Sequence, residues 1–208
     1  MNMEKEGNIS TEEKIKEAAK RVFQQKGYGL TRTRDIAEEA GINLALLNYY
    51  YRSKKKLFDI IMHESVKEML TYIENIINNK NTTLSEKIDA GVNRYIEGIS
   101  KNPHLPIFIF SELQANPQQL FDRVGASDGF LKESYMFKQI QEQIDKKGLK
   151  FSSIQFFINM VSLSIFPILG QPFLKNVYKM EDKEYVNFIK DRIILVPIWL
   201  KSMLKLDE

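Results

Sequence analysis

The stretch TRDIAEEAGINLALLNYYYRSKKKLF, residues 33–58, decides the fold. Its spacing is that of two short helices meeting at a tight turn. Ala37 supplies a small residue where two helix backbones approach, and Gly41 a turn position open to positive φ. Ile36, Ile42 and Leu47 supply the apolar anchors. A helix-turn-helix needs these features at this separation, because a bulky side chain at the crossing would hold the two helices apart. Three consecutive tyrosines, Tyr49, Tyr50 and Tyr51, then run into Arg52, Lys54, Lys55 and Lys56. A core helix would not carry so many polar tips, and a solvated one would not carry so many rings. A helix with protein on one side and nucleic acid on the other accounts for both.

Charge points the same way. The 208 residues hold 30 cations and 27 anions, a net +3 that says little. Between Lys26 and Lys56, however, seven cations (Lys26, Arg32, Arg34, Arg52, Lys54, Lys55, Lys56) stand against three anions (Asp35, Glu38, Glu39). That local excess exceeds the whole chain's, so the remainder is near neutral, and a basic patch beside a neutral body is the footprint of a nucleic-acid reader. The chain has no cysteine, which excludes disulfides, thiolate nucleophiles and thiolate metal sites. The opening MNMEKEGNISTEEK lacks an apolar core of the signal-peptide kind, so a cytoplasmic location is expected. The most apolar stretch, residues 156–174, is interrupted by Asn159, Pro167, Gly170 and Pro172 and reads as a buried or interface helix, not a membrane span.

Nearly every segment has a 3.6-residue apolar period and none sustains a period of two, so the chain reads as all-α. Ser10 and Glu13 form a capping box ahead of Ile15, Ala18, Ala19, Val22 and Phe23, and Gly27 ends this first helix. Thr33 caps the second, Asn43 a short third and Ser53 a long fourth, after which the polar tract NNKNTT (78–83) breaks the chain. Further helices are expected over about 84–100, 104–115, 117–147 with an interruption, 152–166 with Pro167 as stop or kink, and 181–206 with Pro197 inside. On the third helix, Leu46, Leu47 and Tyr51 are placed inward, freeing Tyr49 and Tyr50 for phosphate or base edges.

Taken together, residues 33–58 resemble the N-terminal domain of the TetR family of bacterial transcriptional regulators, whose pattern runs close to T-x-x-I-A-x-x-A-G-V-S-x-G-x-L-Y-x-Y-F-x-S-K-x-x-L. Thr33, Ile36, Ala37, Ala40, Gly41, Leu47, Tyr50, Ser53, Lys54 and Leu57 match. The resemblance implies a three-helix helix-turn-helix domain over residues 1–56, joined to a larger helical effector-binding and dimerisation domain over 57–208. It also implies that Leu44, Ala45 and Asn48 reach base edges while Thr33, Tyr49, Tyr50 and Lys54 grip the backbone. Asn43 stands in for the usual serine cap, and Arg32 and Arg34 either add phosphate contacts or solvate the loop. Here Leu44 and Ala45 can read thymine methyls but donate nothing to guanine, so hydrogen-bond readout falls on Asn48, which can pair with adenine.

The same resemblance implies a cavity in the C-terminal part, for which Tyr95, Phe110, Gln114, Phe130 and Asn159 are candidate lining residues. It implies a homodimer through the last helices, with Phe157, Val161, Ile165, Ile193 and Pro197 at the contact. The expected partners are operator DNA, a second copy and a small hydrophobic or amphipathic effector, with no cofactor and no metal. One alternative is a regulator of the same fold without an effector. A different class is a small-molecule binding protein or a hydrolase using Ser127, since Gly125-Ala126-Ser127-Asp128-Gly129 fits G-x-S-x-G; but an elbow of that kind lies between strand and helix with its histidine downstream, and both His63 and His104 precede Ser127.

Overall fold

The computed structural model describes residues 10–126 and 129–206, and all regular structure among them is helical. The helices are α1 (Thr11–Leu30), α2 (Thr33–Glu39), α3 (Leu44–Tyr50), α4 (Lys54–Ile77), α5 (Leu84–Lys101), α6 (His104–Ala115), α7 (Pro117–Val124), α8 (Tyr135–Lys147), α9 (Ser153–Leu169), α10 (Gln171–Tyr178) and α11 (Asp182–Met203). The chain falls into two compact units, one ending at Ser65 and the other beginning at Val66. The border lies inside α4, because its first turns bury Leu57, Ile61 and Met62 and pair Lys16 Nζ with Glu64 Oε1 at 2.8 Å.

In the first unit, Ser10 and Glu13 cap α1 reciprocally, and the residues at helical spacing, Ile15, Ala18, Ala19, Val22 and Phe23, are buried. Gly27 takes φ 74° and ψ 161°, a conformation only glycine adopts freely, and kinks α1 there. The segment after Gly27 is a helical turn and not an open loop. Buried Thr31 closes it, its hydroxyl donating to the Gly27 carbonyl at 2.7 Å. Phe23, Tyr28 and Phe58 pack as a ring cluster, Phe58 lying edge-on to Phe23 at 5.1 Å.

Thr33 is the first residue of α2, not its cap. The chain instead uses the Asp35 carboxylate, which accepts the Arg32 backbone N–H at 2.8 Å and is held below its ordinary pKa by that bond and by Lys26. Gly41, at φ 66°, makes the turn into α3. Asn43 caps α3, accepting from the Leu46 N–H at 2.8 Å, and Ser53 caps α4, accepting from the Lys56 N–H at 3.1 Å.

In the second unit, α5 is the central helix, packed against α11, α9, α8 and α6. Its buried stripe of Ile88, Val92, Ile96 and Ile99 meets Met136, Ile140 and Ile144 of α8, Phe156 and Ile165 of α9, and Val196, Leu200 and Leu204 at the end of the chain. The single interrupted helix expected over 117–147 is two helices, α7 and α8. Pro167 neither stops α9 nor leaves its backbone unsatisfied. A proline lacks the N–H that would serve the carbonyl four residues back, and Arg192 Nη2 of α11 donates to that Leu163 carbonyl at 2.5 Å. Tyr185 adds a buried bond to the Pro167 carbonyl at 3.0 Å. After Gly170 the chain turns by 65° into α10, which the sequence reading had not anticipated. No single helix among the described residues is long and apolar enough to cross a membrane.

Candidate functional site

Helix α3 presents nearly everything it carries. Of its seven residues only Leu47 is buried, at 1% exposure, with Tyr51 just beyond it at 3%. These two hold the helix to α1 and α2, and the Tyr51 hydroxyl reaches back to Glu12 Oε1 at 3.3 Å. Full burial of one leucine contributes about 1.5–3 kcal/mol, and Leu47 contributes on that scale. Leu46, placed inward by periodicity, is 37% exposed, because a seven-residue helix has room for one inward position per turn and Leu47 takes it. Leu44, Ala45, Asn48, Tyr49 and Tyr50 are all exposed, Tyr49 at 81%. The rings of Tyr49 and Tyr50 stand edge to face at 5.5 Å, so each restricts the other's rotamers.

The cations around this helix divide into two groups. Lys26 is paired with Asp35 at 3.1 Å and Lys55 with Asp59 at 2.6 Å. Arg32, Arg34, Arg52 and Lys56 are exposed and make no salt bridge among the described residues. Lys54 is different again. Its Nζ donates to the Tyr28 carbonyl at 2.8 Å and the Thr31 carbonyl at 2.9 Å, and lies 4.3 Å from the centre of the Tyr28 ring. An ammonium has three N–H groups, so one remains for an anion. The sequence reading missed this internal role, since nothing in a lysine codon tells which carbonyls its side chain will reach.

The second unit encloses a cavity of about 330 Å³. Its wall is built from α4 (Met69, Ile73), α5 (Val92, Tyr95), α6–α7 (Leu113, Phe121), the segment before α8 (Phe130), α8 (Phe137) and α9 (Phe157, Met160), among others. Tyr95 and Phe130 of the expected lining set are there. Phe110 and Gln114 are not; they lie on the exposed side of α6, because Ile109 and Leu113 occupy its inward positions. Asn159 is half-buried outside the wall. Burial pushes the Tyr95 hydroxyl up to about 12.

The residues expected at a dimer contact sit on the inner side of their helices. Phe157 and Val161 line the cavity, Ile165 and Pro197 are buried in the unit's own core, and Ile193 packs half-buried against it. The exposed apolar set is one step round: Ile154, Ile158 and Phe166 on α9, and Ile194, Leu195, Ile198 and Trp199 on α11. Helix α9 and residues 193–200 of α11 are apolar on almost every side, so spacing alone does not distinguish their faces.

The Ser127 reading falls outside the described residues. The residue two before it, Gly125, is the left-handed cap of α7, at φ 71°, so a helix and not a strand leads into the motif.

A short exposed helix set on two buried anchors, turned by a positive-φ glycine and flanked by unpaired cations, defines a helix-turn-helix DNA-binding protein. Residues 15–61 match the family model described as bacterial regulatory proteins, tetR family. Over 203 residues the chain is 26% identical to the protein named "Probable HTH-type transcriptional regulator YttP" of Bacillus subtilis, covering 96% of this chain and 97% of that one. It is 28% identical over 144 residues to the negative transcriptional regulator of the icaADBC biofilm operon, IcaR, of Staphylococcus aureus, covering 69% and 75%. A transcriptional regulator of the TetR/AcrR family from Thermobifida fusca superposes with a TM-score of 0.60 at 18% identity, over 89% of this chain and 96% of that one. Residues 15–61 thus carry a helix-turn-helix of the TetR type, and along nearly its whole length the chain is similar to a transcriptional regulator.

Proposed function

We propose that the protein is a cytoplasmic homodimeric repressor released from its operator by a small ligand. The observation that carries the reading is the coexistence, in one chain, of the exposed recognition helix and a 330 Å³ apolar cavity in the other unit. In this division of labour residues 1–56 bind DNA and 57–208 take the effector and the second copy. Leu44, Ala45 and Asn48 meet base edges; Tyr49, Tyr50, Thr33, Arg34 and Lys54 meet the backbone; Asn43 fixes the helix start. The second copy covers the exposed apolar side chains of α9 and α11, such as Ile158, Ile194 and Ile198, giving the two recognition helices that a palindromic site requires. Ligand favours a dimer whose heads no longer match the site, with a coupling of about 1–3 kcal/mol. The repressing sign is supported by the negative regulator from Staphylococcus aureus among the relatives.

The test is fluorescence anisotropy on DNA from the protein's own upstream region against scrambled DNA, over a salt series. The reading requires preference for the upstream DNA, binding that weakens with salt, and loss of the preference in Asn48→Ala. Absence of binding at low salt sinks it.

A further inference from the structure

The chemistry of the cavity wall narrows what it accepts. None of its residues is Asp, Glu, Lys, Arg or His, and its polar side chains are Tyr95, Ser134 and Ser164. Two of those three are already committed. The Ser134 hydroxyl donates to the Leu131 carbonyl at 2.6 Å and accepts the Phe137 N–H at 3.2 Å; the Ser164 hydroxyl donates to the Met160 carbonyl at 2.8 Å. Tyr95 makes no hydrogen bond among the described residues, and with its ionisation displaced upward by burial it remains a neutral donor and acceptor. An ionised group brought into this wall would lose water and gain no counter-charge, which is far costlier than burying an uncharged hydroxyl or carbonyl that Tyr95 can satisfy.

We propose that the effector is a neutral, predominantly apolar small molecule bearing one hydrogen-bonding group, which the Tyr95 hydroxyl takes. The inference rests on the ligand-responsive reading above and adds the ligand's charge state and its single polar anchor. The cavity is at the small end of ligand sites, so one compact molecule fills it. The rival chemistry is a lipophilic cation, since Phe121, Phe130, Phe137 and Phe157 offer ring faces that attract positive charge.

The experiment uses the full chain and three probes of one hydrocarbon length: n-decanol, decanoate and decyltrimethylammonium, each kept below micelle formation. They compete with the hydrocarbon dye 1,6-diphenylhexatriene, which has no hydrogen-bonding group and whose fluorescence reports the cavity. Decanol is expected to displace the dye at about tenfold lower concentration than either ion. Tyr95→Phe, which keeps the ring, is expected to weaken decanol about fivefold relative to the hydrocarbon dye measured on the same variant. Equal or better displacement by decanoate or by the ammonium overturns the neutral class and leaves the ligand-responsive reading standing. Unchanged decanol binding in Tyr95→Phe overturns the anchor. No binding of dye or probes to protein that melts cooperatively overturns the inference and the ligand half of the proposed function together.

Discussion

Replacing Arg192 by methionine tests whether α11 serves the carbonyl that Pro167 orphans in α9. In the structure Arg192 Nη2 meets the Leu163 carbonyl at 2.5 Å, and its guanidinium lies 4.8 Å from the centre of the Trp199 ring. Leaving a part-buried carbonyl without a donor costs about 1–3 kcal/mol, and the lost ring contact adds about 0.5–1 kcal/mol. Two effects oppose this. Methionine keeps much of the apolar stem, and the buried guanidinium, whose pKa burial lowers, no longer has to be desolvated. The net expectation is a loss of about 2 kcal/mol, or about 4–8 °C in Tm for a chain of this size. Urea and thermal unfolding at one fixed protein concentration would measure it for Arg192→Met, Pro167→Ala and the double variant. Pro167→Ala restores the N–H that an uninterrupted helix points at Leu163. In that background Arg192→Met should therefore cost about half as much or less. Equal costs in both backgrounds, additive to within about 0.3 kcal/mol, would refute the assignment.

Four further outcomes are expected. Asn48→Ala should weaken binding to the operator by about 1–3 kcal/mol while leaving binding to scrambled DNA unchanged, and an equal loss on both would remove Asn48 from base readout. Lys54→Met should destabilise the chain by about 1–2 kcal/mol in urea, because the Tyr28 and Thr31 carbonyls lose their donor, and it should flatten the salt slope of DNA binding by at most about one contact. An unchanged midpoint would mean that water replaces the ammonium at no cost. Gly41→Ala should cost about 1–2 kcal/mol from backbone conformation alone, since a Cβ there meets nothing within 4 Å; a loss far above that in urea unfolding would imply crowding. The Asp35 carboxyl titrates lower folded than unfolded, so its stabilising contribution is complete above its ordinary pKa of 3.8 and disappears as pH falls below that, through the lowered folded value. Asp35→Asn should flatten the acid limb of the stability profile between about pH 5 and pH 2, and an unchanged limb would remove Asp35 from the cap's pH dependence.

The DNA-binding unit was legible because its signals are local. Ser10 with Glu13, Asn43 and Ser53 cap within three residues, and Gly27 and Gly41 adopt conformations that other side chains resist. Where two groups could cap the same helix, local reading chose the wrong one: Asp35 reaches back to Arg32 where Thr33 was expected to cap. Helix α10 was hidden by Pro172, read as a break although proline is well suited to a helix's first turn. In α9 and α11 the failure has another cause. Apolar residues surround α9 and the 193–200 stretch of α11, so whether Ile165 or Ile158 faces inward depends on packing against α5, which no periodicity records. The cavity followed the same rule: of the residues expected to line it, Tyr95 and Phe130 face the void while Phe110, Gln114 and Asn159 lie outside its wall, because lining a void is a property of several helices at once.

Helix α3 rests on the buried Leu47 and the adjoining Tyr51, while Leu44, Ala45 and Asn48 are exposed. On the proposed assignment of base readout to Leu44, Ala45 and Asn48, fold and target preference are stored in different residues of the same seven-residue element. Leu44, Ala45 and Asn48 can be exchanged for other solvent-tolerant residues at little thermodynamic cost, since surface substitutions away from caps and cores stay within about 0.5 kcal/mol. On that assignment a lineage carrying this domain shifts to a new operator by single substitutions, each intermediate remaining folded. The same separation makes the domain a scaffold on which DNA preference can be selected from a library randomised at those three positions alone.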